Sequence, residues 1–178
     1  MLALCLHPSE TRKPRHQVRA SARKIAGSEL MTLRFEIVGA ENILCEVKEH
    51  EGDIQRRDDL WMATCFECFI GGTSADYLEW NFAPTGDWNC YEFTNYRNEM
   101  KAAEVQAPAI NRTSTGDRAR FEIDVSLGEE LAFEVLKISL TAVVLEKGHE
   151  KPFYWALSHA GLKPDFHLRE SFTLELGL

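Results

Sequence analysis

The chain has 178 residues, of which 44% are hydrophobic and 27% charged, and its formal net charge is −8. This composition excludes the collagen-like, coiled-coil and wholly disordered classes, and a chain of this length can bury a core without a metal or a disulfide. No apolar run reaches the roughly 18–20 residues of a membrane helix, and Met1–Leu6 is too short an apolar start for a signal peptide. We therefore expect a single domain over residues 1–178, located in the cytoplasm, with no membrane partner.

The N-terminal segment differs in charge from the rest of the chain. Residues 1–34 carry seven Lys or Arg and two acidic residues, whereas residues 35–178 carry thirteen and twenty-six. An acidic body repels phosphate backbones, so we expect no nucleic-acid partner. The basic residues of the segment are spaced rather than consecutive, which favours a solvated strand face over an interaction arm.

Segments rich in aromatic and β-branched residues, bounded by turn residues, predict about ten short strands. Apolar and polar residues alternate in Leu33–Val38 and Phe121–Val125, and further strands are predicted at 61–70, 77–83, 88–94, 133–145 and 153–158. The turn Pro84–Asp87 is expected to close a hairpin, and residues 96–104 have the composition of a short helix. Many short strands at this spacing indicate an all-β fold, an antiparallel β-sandwich of jelly-roll type.

The five cysteines are an odd set without a secretory signal, which indicates reduced thiols rather than a disulfide framework. Cys65 and Cys68 lie three residues apart in a predicted strand and would point to opposite faces. We therefore interpret them as core residues and not as a zinc or redox motif, and we predict no metal site.

The period of two along the strands predicts one polar and aromatic sheet face. It groups Trp61 with Glu67 on one aromatic strand, and Glu79 with Asn81 on the next. Aromatic rings stack on the C–H face of a pyranose while carboxylates and amides bind its hydroxyls, so such a face suits a sugar. The alternative is that both glutamates form an internal hydrogen-bonded network with Arg97 and leave no free site.

The segment near the C-terminus contains His159, Asp165 and His167. Asp165 and His167 are two residues apart, which would allow a ligand contact or acid–base chemistry. In a loop rich in Gly and Pro, Asp and His side chains also bind nearby backbone groups, and this ordering role is the simpler interpretation.

Three sequence blocks resemble bacterial DOMON-like domain proteins. They are Asp59–Phe69 (DLWMATCFECF), Tyr77–Trp88 (YLEWNFAPTGDW), and Tyr154–His159 with Pro164–His167 (YWALSH and PDFH). Shorter matches lie at Leu6–Pro8, Tyr96–Met100 and Ser171–Leu174, so the resemblance covers almost the whole chain. These proteins are similar to family-nine carbohydrate-binding modules, and both groups carry ligands on one sheet of a β-sandwich.

The resemblance implies a non-enzymatic module that binds a saccharide or glycan. It implies that Trp61 is a stacking platform and that Glu67 and Asn81 bind hydroxyls, with Trp88 or Trp155 as a second wall. No Gly-x-Ser-x-Gly elbow, Walker loop or His-Glu-x-x-His is present, so the common catalytic mechanisms have no motif in this chain.

Two other functions stay open at this point. Some DOMON domains bind haem through Met and His, and the residues available are Met62 or Met100 with His159 or His167. Met62 is predicted on the core face and Met100 on the short helix, so packing or exposure is the simpler interpretation and we expect no cofactor. The other function is a protein-interaction module that docks a partner through an edge strand or the N-terminal segment.

Overall fold

Two antiparallel sheets pack face to face and form a β-sandwich. The computed structural model describes residues 1–25, 27–44, 54–128 and 135–177. In this part of the chain the strands are β1 (Leu2–Ala3), β2 (Cys5–Leu6), β3 (Gln17–Lys24), β4 (Leu30–Val38), β5 (Cys65–Gly71), β6 (Tyr77–Phe82), β7 (Trp88–Phe93), β8 (Lys101–Ala102), β9 (Ala109–Thr115), β10 (Arg118–Ser126), β11 (Leu136–Val144), β12 (Phe153–Ala156) and β13 (Leu174–Leu176). Three-residue 3-10 helices lie at Ala40–Asn42, Leu60–Met62 and Arg169–Ser171.

The smaller sheet has the strand order β1-β3-β4-β10-β9, and the larger sheet has the order β2-β12-β11-β5-β6-β7-β8, with β13 also pairing with β11. These strands pair in antiparallel fashion, so the predicted antiparallel sandwich is confirmed. Cys45 and the start of the predicted strand 133–145 lie outside the described residues. Within the described ranges, no helix has the length and apolar character needed to cross a membrane.

Aromatic residues fill the space between the two sheets. Phe35 of β4 stacks on Phe66 of β5 at a ring-centroid distance of 4.9 Å, and Phe66 lies 4.6 Å from Phe121 of β10. All three rings are buried, and burying a side chain of this size stabilises a fold by about 1.5–3 kcal/mol. These contacts fix how the two sheets face each other.

Loops cover the opposite face of the larger sheet. We call residues 57–64, 94–100 and 157–173 the covering loops. Phe69 of β5 and Tyr77 of β6 form a second apolar cluster there with Phe166 and Phe172. β5 is consequently buried along its whole length, with the sandwich core on one face and the covering loops on the other.

The structure corrects the expectation that Trp88 or Trp155 forms a ligand wall. Trp88 packs against Trp80 in the core with ring centroids 5.8 Å apart, and Trp155 donates its Nε1–H to His16 Nε2 at 3.0 Å. Both indoles are buried. The larger sheet presents them to the smaller sheet, where their apolar area is removed from water.

The predicted helix at 96–104 and the core position of Met62 are also wrong. Arg97 and Glu99 adopt left-handed φ angles of 50° and 53°, which a right-handed helix cannot accommodate, and Lys101–Ala102 instead pairs with β7. Met62 lies in a 3-10 helix that precedes β5, so it does not follow the alternation of that strand and its side chain is 75% exposed.

The basic N-terminal residues have two different roles. Arg19 and Arg23 are exposed on β3, as expected for a solvated strand face. Arg12 instead lies 4.2 Å from the centroid of the Phe153 ring and donates to the Pro152 carbonyl at 2.8 Å. The segment before β3 is therefore held against the larger sheet.

A buried polar network joins this segment to the end of β11. Glu146 is fully buried and accepts hydrogen bonds of 2.8 Å from Arg15 N–H, Arg15 Nε–H and His16 Nδ1–H. His16 Nε2 accepts the indole N–H of Trp155, which places the ring hydrogen on Nδ1, and burial lowers the pKa of His16, which keeps the ring neutral. Burial opposes ionisation of Glu146, but the hydrogen bonds from Arg15 and His16 lower its pKa to about 2.

Replacing Glu146 by alanine is expected to lower the free energy of unfolding at pH 7 by about 2–4 kcal/mol, because donors of Arg15 and His16 lose their acceptor. The pKa of Glu146 is depressed in the folded state, so its contribution is complete above the usual value of 4.5 and is lost as the pH falls towards 2. Urea denaturation at pH 7 and pH 3 measures both effects.

The exposed ion pair Arg34–Glu122 supplies a matched control. Glu122→Ala should cost less than about 1 kcal/mol, since exposed pairs contribute little. Equal losses in the two variants would contradict a stabilising role for the buried network.

Candidate functional site

A cavity of about 380 Å³ lies between the outer face of the larger sheet and the covering loops. It brings together six of the ten predicted ligand-binding residues, namely Trp61, Glu67, Glu79, Arg97, Asp165 and His167. The remaining lining residues are Phe69, Phe93, Met100, Val143, Tyr154, Pro164 and Phe166. Aromatic rings and carboxyl groups therefore share one concave surface, which is the combination that the alternation of the strands predicted.

The floor of the cavity is set by the register of β5 and β6. Glu67 lies opposite Asn81, and Phe69 lies opposite Glu79. Residues two apart on a strand, and residues directly opposite across an antiparallel pair, point to the same face. Both glutamates therefore belong to the cavity face, at diagonal positions on neighbouring strands.

Asn81 shares this face of the sheet but lies outside the cavity lining, where it supports Glu79. It is fully buried, donates Nδ2–H to Glu79 Oε1 at 3.0 Å, and accepts the thiol of Cys65 at 3.4 Å. The sequence grouped Asn81 with the ligand-binding residues because it shares their strand face. In the structure, its side chain is hydrogen-bonded to Glu79. It orients a carboxyl and does not line the cavity.

Both glutamates are buried, with 2% and 5% of their surfaces exposed. Glu67 Oε2 accepts a hydrogen bond from Thr141 Oγ1 at 2.9 Å, and within the described residues Glu67 Oε1 has no hydrogen-bond partner. Burial and the neighbouring charge of Glu79 raise the pKa of Glu67 to about 8, and burial also raises the pKa of Glu79. The pair therefore holds a proton at neutral pH.

His167 faces this pair as a neutral imidazole. Tyr77 Oη accepts the backbone N–H of Arg97 at 3.2 Å and lies 2.8 Å from His167 Nδ1. We assign the phenol as donor to Nδ1, which leaves the ring hydrogen on Nε2, 3.6 Å from Glu79 Oε2. Burial and the charge of Arg97 lower the pKa of His167 to about 4.

Asp165 joins two of the covering loops. Its Oδ1 accepts hydrogen bonds from Arg97 Nη2 and from the backbone N–H of His167, both at 3.1 Å, and its Oδ2 accepts Tyr96 Oη–H at 2.6 Å. Asp165 thus orders the loop and also lines the cavity. Arg97 is paired with Asp165, and in the described part of the chain it makes no hydrogen bond to either glutamate, so the internal network considered for those three residues does not form.

Trp61 reaches the cavity from the 3-10 helix rather than from β5. Its ring contacts Tyr91 edge-on, with centroids 5.5 Å apart. Tyr91 Oη donates to Asp58 Oδ1 at 2.8 Å, and Asn89 Nδ2 donates to the same oxygen at 2.9 Å. This chain of contacts ties the segment before Trp61 to β7 and holds the indole at the edge of the cavity.

The covering loops contain strained backbone. Asp59, Arg97 and Glu99 are the non-glycine residues with left-handed φ angles in the described ranges. This conformation costs of the order of 1 kcal/mol for a residue with a side chain. All three lie in the turns that deliver Trp61 and Arg97 to the cavity, and strain retained at such positions is typical of functional sites.

Tyr154 was missed by sequence reasoning, although a signal for it exists. Tyr154 and Trp155 are neighbours on β12, so they point to opposite faces of the larger sheet. Because Trp155 packs in the core, Tyr154 points to the other face and lines the cavity. The contribution of Asp58 and Tyr91 could not be found in this way, because it depends on where the loop before β5 folds back.

The predicted haem ligands do not fit an axial pair. His159 Nε2 lies 2.9 Å from the Cys5 carbonyl oxygen and Met62 points to solvent, so neither lines the cavity. Met100 and His167 do line it, but His167 Nδ1 is bonded to Tyr77 and its Nε2 faces a carboxyl group. Neither ring nitrogen of His167 is free to bind iron.

Comparison with known proteins gives matches of fold only. No protein-family model and no curated protein matches the sequence. A crystal structure from Bacteroides uniformis, described as that of a candidate carbohydrate-binding protein, superposes with a TM-score of 0.68 at 12% identity over 97% of this chain and 83% of that one. A family-nine carbohydrate-binding module from Caldicellulosiruptor kristjanssonii, solved with glucose and with cellotriose, gives a TM-score of 0.50 at 8% identity over 88% of this chain, with 74% and 72% of the module covered. The chain therefore has a fold like that of the family-nine modules.

Replacing Glu67 by glutamine is expected to stabilise the protein at pH 8 by more than about 1 kcal/mol. The pKa of Glu67 is raised in the folded state, so its contribution to stability is complete below the usual value of 4.5 and is lost as the pH rises to about 8. Glutamine cannot ionise, and it keeps an acceptor for Thr141. Urea denaturation at pH 5, 6.5 and 8 should therefore give a flatter profile for the variant.

Glu175→Gln is the control, because that side chain is 64% exposed on β13. Its profile should follow that of the parent protein. If Glu67→Gln also runs parallel to the parent from pH 5 to 8, the buried proton does not depend on Glu67.

Proposed function

We propose that the chain is a non-catalytic saccharide-binding module whose ligand lies in the cavity on the outer face of the larger sheet. The observation that carries this proposal is the shared cavity of Trp61 and Tyr154 with the buried carboxyls of Glu67 and Glu79. The two rings are only partly buried, so they keep apolar surface for a ligand.

Each part of the cavity matches one part of a sugar. The faces of Trp61 and Tyr154 suit the C–H surface of a pyranose ring. The buried carboxyls accept hydrogen bonds from hydroxyl groups, and Arg97 at the rim donates them. The cavity thus offers apolar contacts to the C–H surface of a sugar and hydrogen bonds to its hydroxyl groups.

The fold supports the same class of ligand. The Caldicellulosiruptor module with a similar fold is solved in complex with glucose and with cellotriose. By the resemblance of its sequence blocks we further propose that the chain is a bacterial DOMON-like protein that acts in the cytoplasm. Glucose and cellotriose are accordingly the first probes.

The similar surroundings of the two carboxyls favour binding over hydrolysis. A glycosidase needs one protonated and one ionised carboxyl in different environments. Burial is the largest cause of the raised pKa at both Glu67 and Glu79, so their environments are alike. We propose that they bind a ligand through hydrogen bonds, with one carboxyl carrying the proton that the pair holds.

Binding of glucose and cellotriose is expected to be weak and to depend on Trp61. A ligand efficiency of about −0.3 kcal/mol per atom over about twelve non-hydrogen atoms gives glucose a Kd of about 2 mM. Trp61→Ala should weaken binding by roughly tenfold or more, since burying an aromatic side chain is worth about 1.5–3 kcal/mol. Ligand-observed NMR titration measures both values.

Met62→Ala is a closely matched control, because Met62 is the next residue in the same 3-10 helix and its side chain is 75% exposed. This variant should bind like the parent, with circular dichroism confirming that both variants fold. Unchanged affinity in Trp61→Ala would show that Trp61 is not the stacking platform. If neither glucose nor cellotriose binds at 20-fold excess over about 2 mM, the saccharide proposal is overturned.

A further inference from the structure

The balance of charge in the cavity is acidic. Three carboxyl groups line it, those of Glu67, Glu79 and Asp165, against one guanidinium, that of Arg97. Arg97 is paired with Asp165 at 3.1 Å, and its side chain is 51% exposed. Among the described residues the two glutamates on the floor have no ion pair with Lys or Arg.

The two glutamates also have unused hydrogen-bonding capacity. Thr141 binds Oε2 of Glu67, and Asn81 binds Oε1 of Glu79. In the described ranges the second oxygen of each carboxyl accepts no hydrogen bond, and Glu79 Oε2 has only His167 Nε2 nearby, at 3.6 Å. Both glutamates line the cavity, so these two oxygens are positions at which a donor group of a ligand can bind.

A neutral hydroxyl and an ammonium group differ in what they offer this floor. A hydroxyl donates one hydrogen bond and brings no charge, so the buried pair keeps its proton. An ammonium group donates three hydrogen bonds and a positive charge, and such charge-assisted bonds are about twice as strong as neutral ones. It would also allow both carboxyls to ionise.

We propose that the ligand is an amino sugar, a saccharide with a free ammonium group that lies between Glu67 and Glu79 while its ring contacts Trp61. This inference rests on the proposed saccharide function and names the class of sugar. The aromatic residues select the ring, and the carboxyl pair selects the charge.

Binding of the ammonium group expels the proton that the carboxyl pair holds in the free protein. The groups around the cavity that bear on this step are Glu67 on β5, Tyr77 and Glu79 on β6, Tyr154 on β12, and Arg97, Asp165 and His167 on the covering loops. Asp165 and Arg97 are already paired as ions, and His167 is neutral. The released proton is therefore that of the two glutamates.

The test compares glucose, glucosamine and N-acetylglucosamine by isothermal titration calorimetry at pH 6.5, where a free amine is protonated. Glucosamine should bind about tenfold more tightly than glucose, as one charge-assisted contact predicts. N-acetylglucosamine, in which the charge is removed, should lose that advantage. The enthalpy for glucosamine should change with the ionisation enthalpy of the buffer, in the direction of proton release.

Glu67→Gln and Glu79→Gln should each bring the ratio of glucosamine to glucose affinity close to one, and the exposed control Glu175→Gln should leave the ratio at its parent value. Ethanolamine, an amine without a sugar ring, should not bind at matched concentration.

The outcomes separate this inference from the proposed function. Equal affinity for glucose and glucosamine overturns the inference and leaves the saccharide function standing. Binding of none of the sugars overturns both. Binding of ethanolamine as tight as that of glucosamine also overturns the inference, because the cavity would then select an amine and not an amino sugar.

Discussion

The antiparallel register of β5 and β6 is the constraint on which the site depends. Because Glu67 lies opposite Asn81, and Glu79 opposite Phe69, both carboxyls leave the same face of the larger sheet. A slip of one residue in either strand would turn its carboxyl into the aromatic core, where an unpaired charge costs far more than any local contact returns. The rings that fill the core, Phe66 among them, therefore also keep the cavity floor in place.

Two buried carboxyls side by side weaken the fold that carries them. Their desolvation is only partly offset, by Thr141 and Asn81. Elsewhere the chain handles the same problem differently, since Glu146 is equally buried but is bonded to Arg15 and His16. Glu146 has a full set of partners and stabilises the fold, whereas Glu67 and Glu79 have few partners. Natural proteins commonly have lower stability at functional sites for this reason.

The sequence was sufficient for the sandwich, which follows from many short strands separated by turns, and for the cavity face, which follows from a period of two along β5 and β6. The sequence did not predict the positions that depend on how the two sheets pack or on the path of a loop, because these do not follow from the period of two. Trp88 and Trp155 are as aromatic as Trp61, and only the packing of the two sheets sends them to the core. Residues 96–104 have helical composition, but left-handed residues and pairing with β7 override it, which local propensity cannot reveal. β5 is buried on both faces, so apolar residues occur at successive positions and the alternation that strand prediction uses is weaker.

The left-handed backbone of Asp59, Arg97 and Glu99 has a consequence for evolutionary comparison. Glycine would adopt these angles without strain, so a substitution to glycine at any of the three positions relieves backbone strain. Under the proposed function, a related chain that no longer binds a ligand in the cavity gains stability from such a change without losing binding. Among related chains, side chains at these three turn positions are therefore expected where the proposed ligand site is in use.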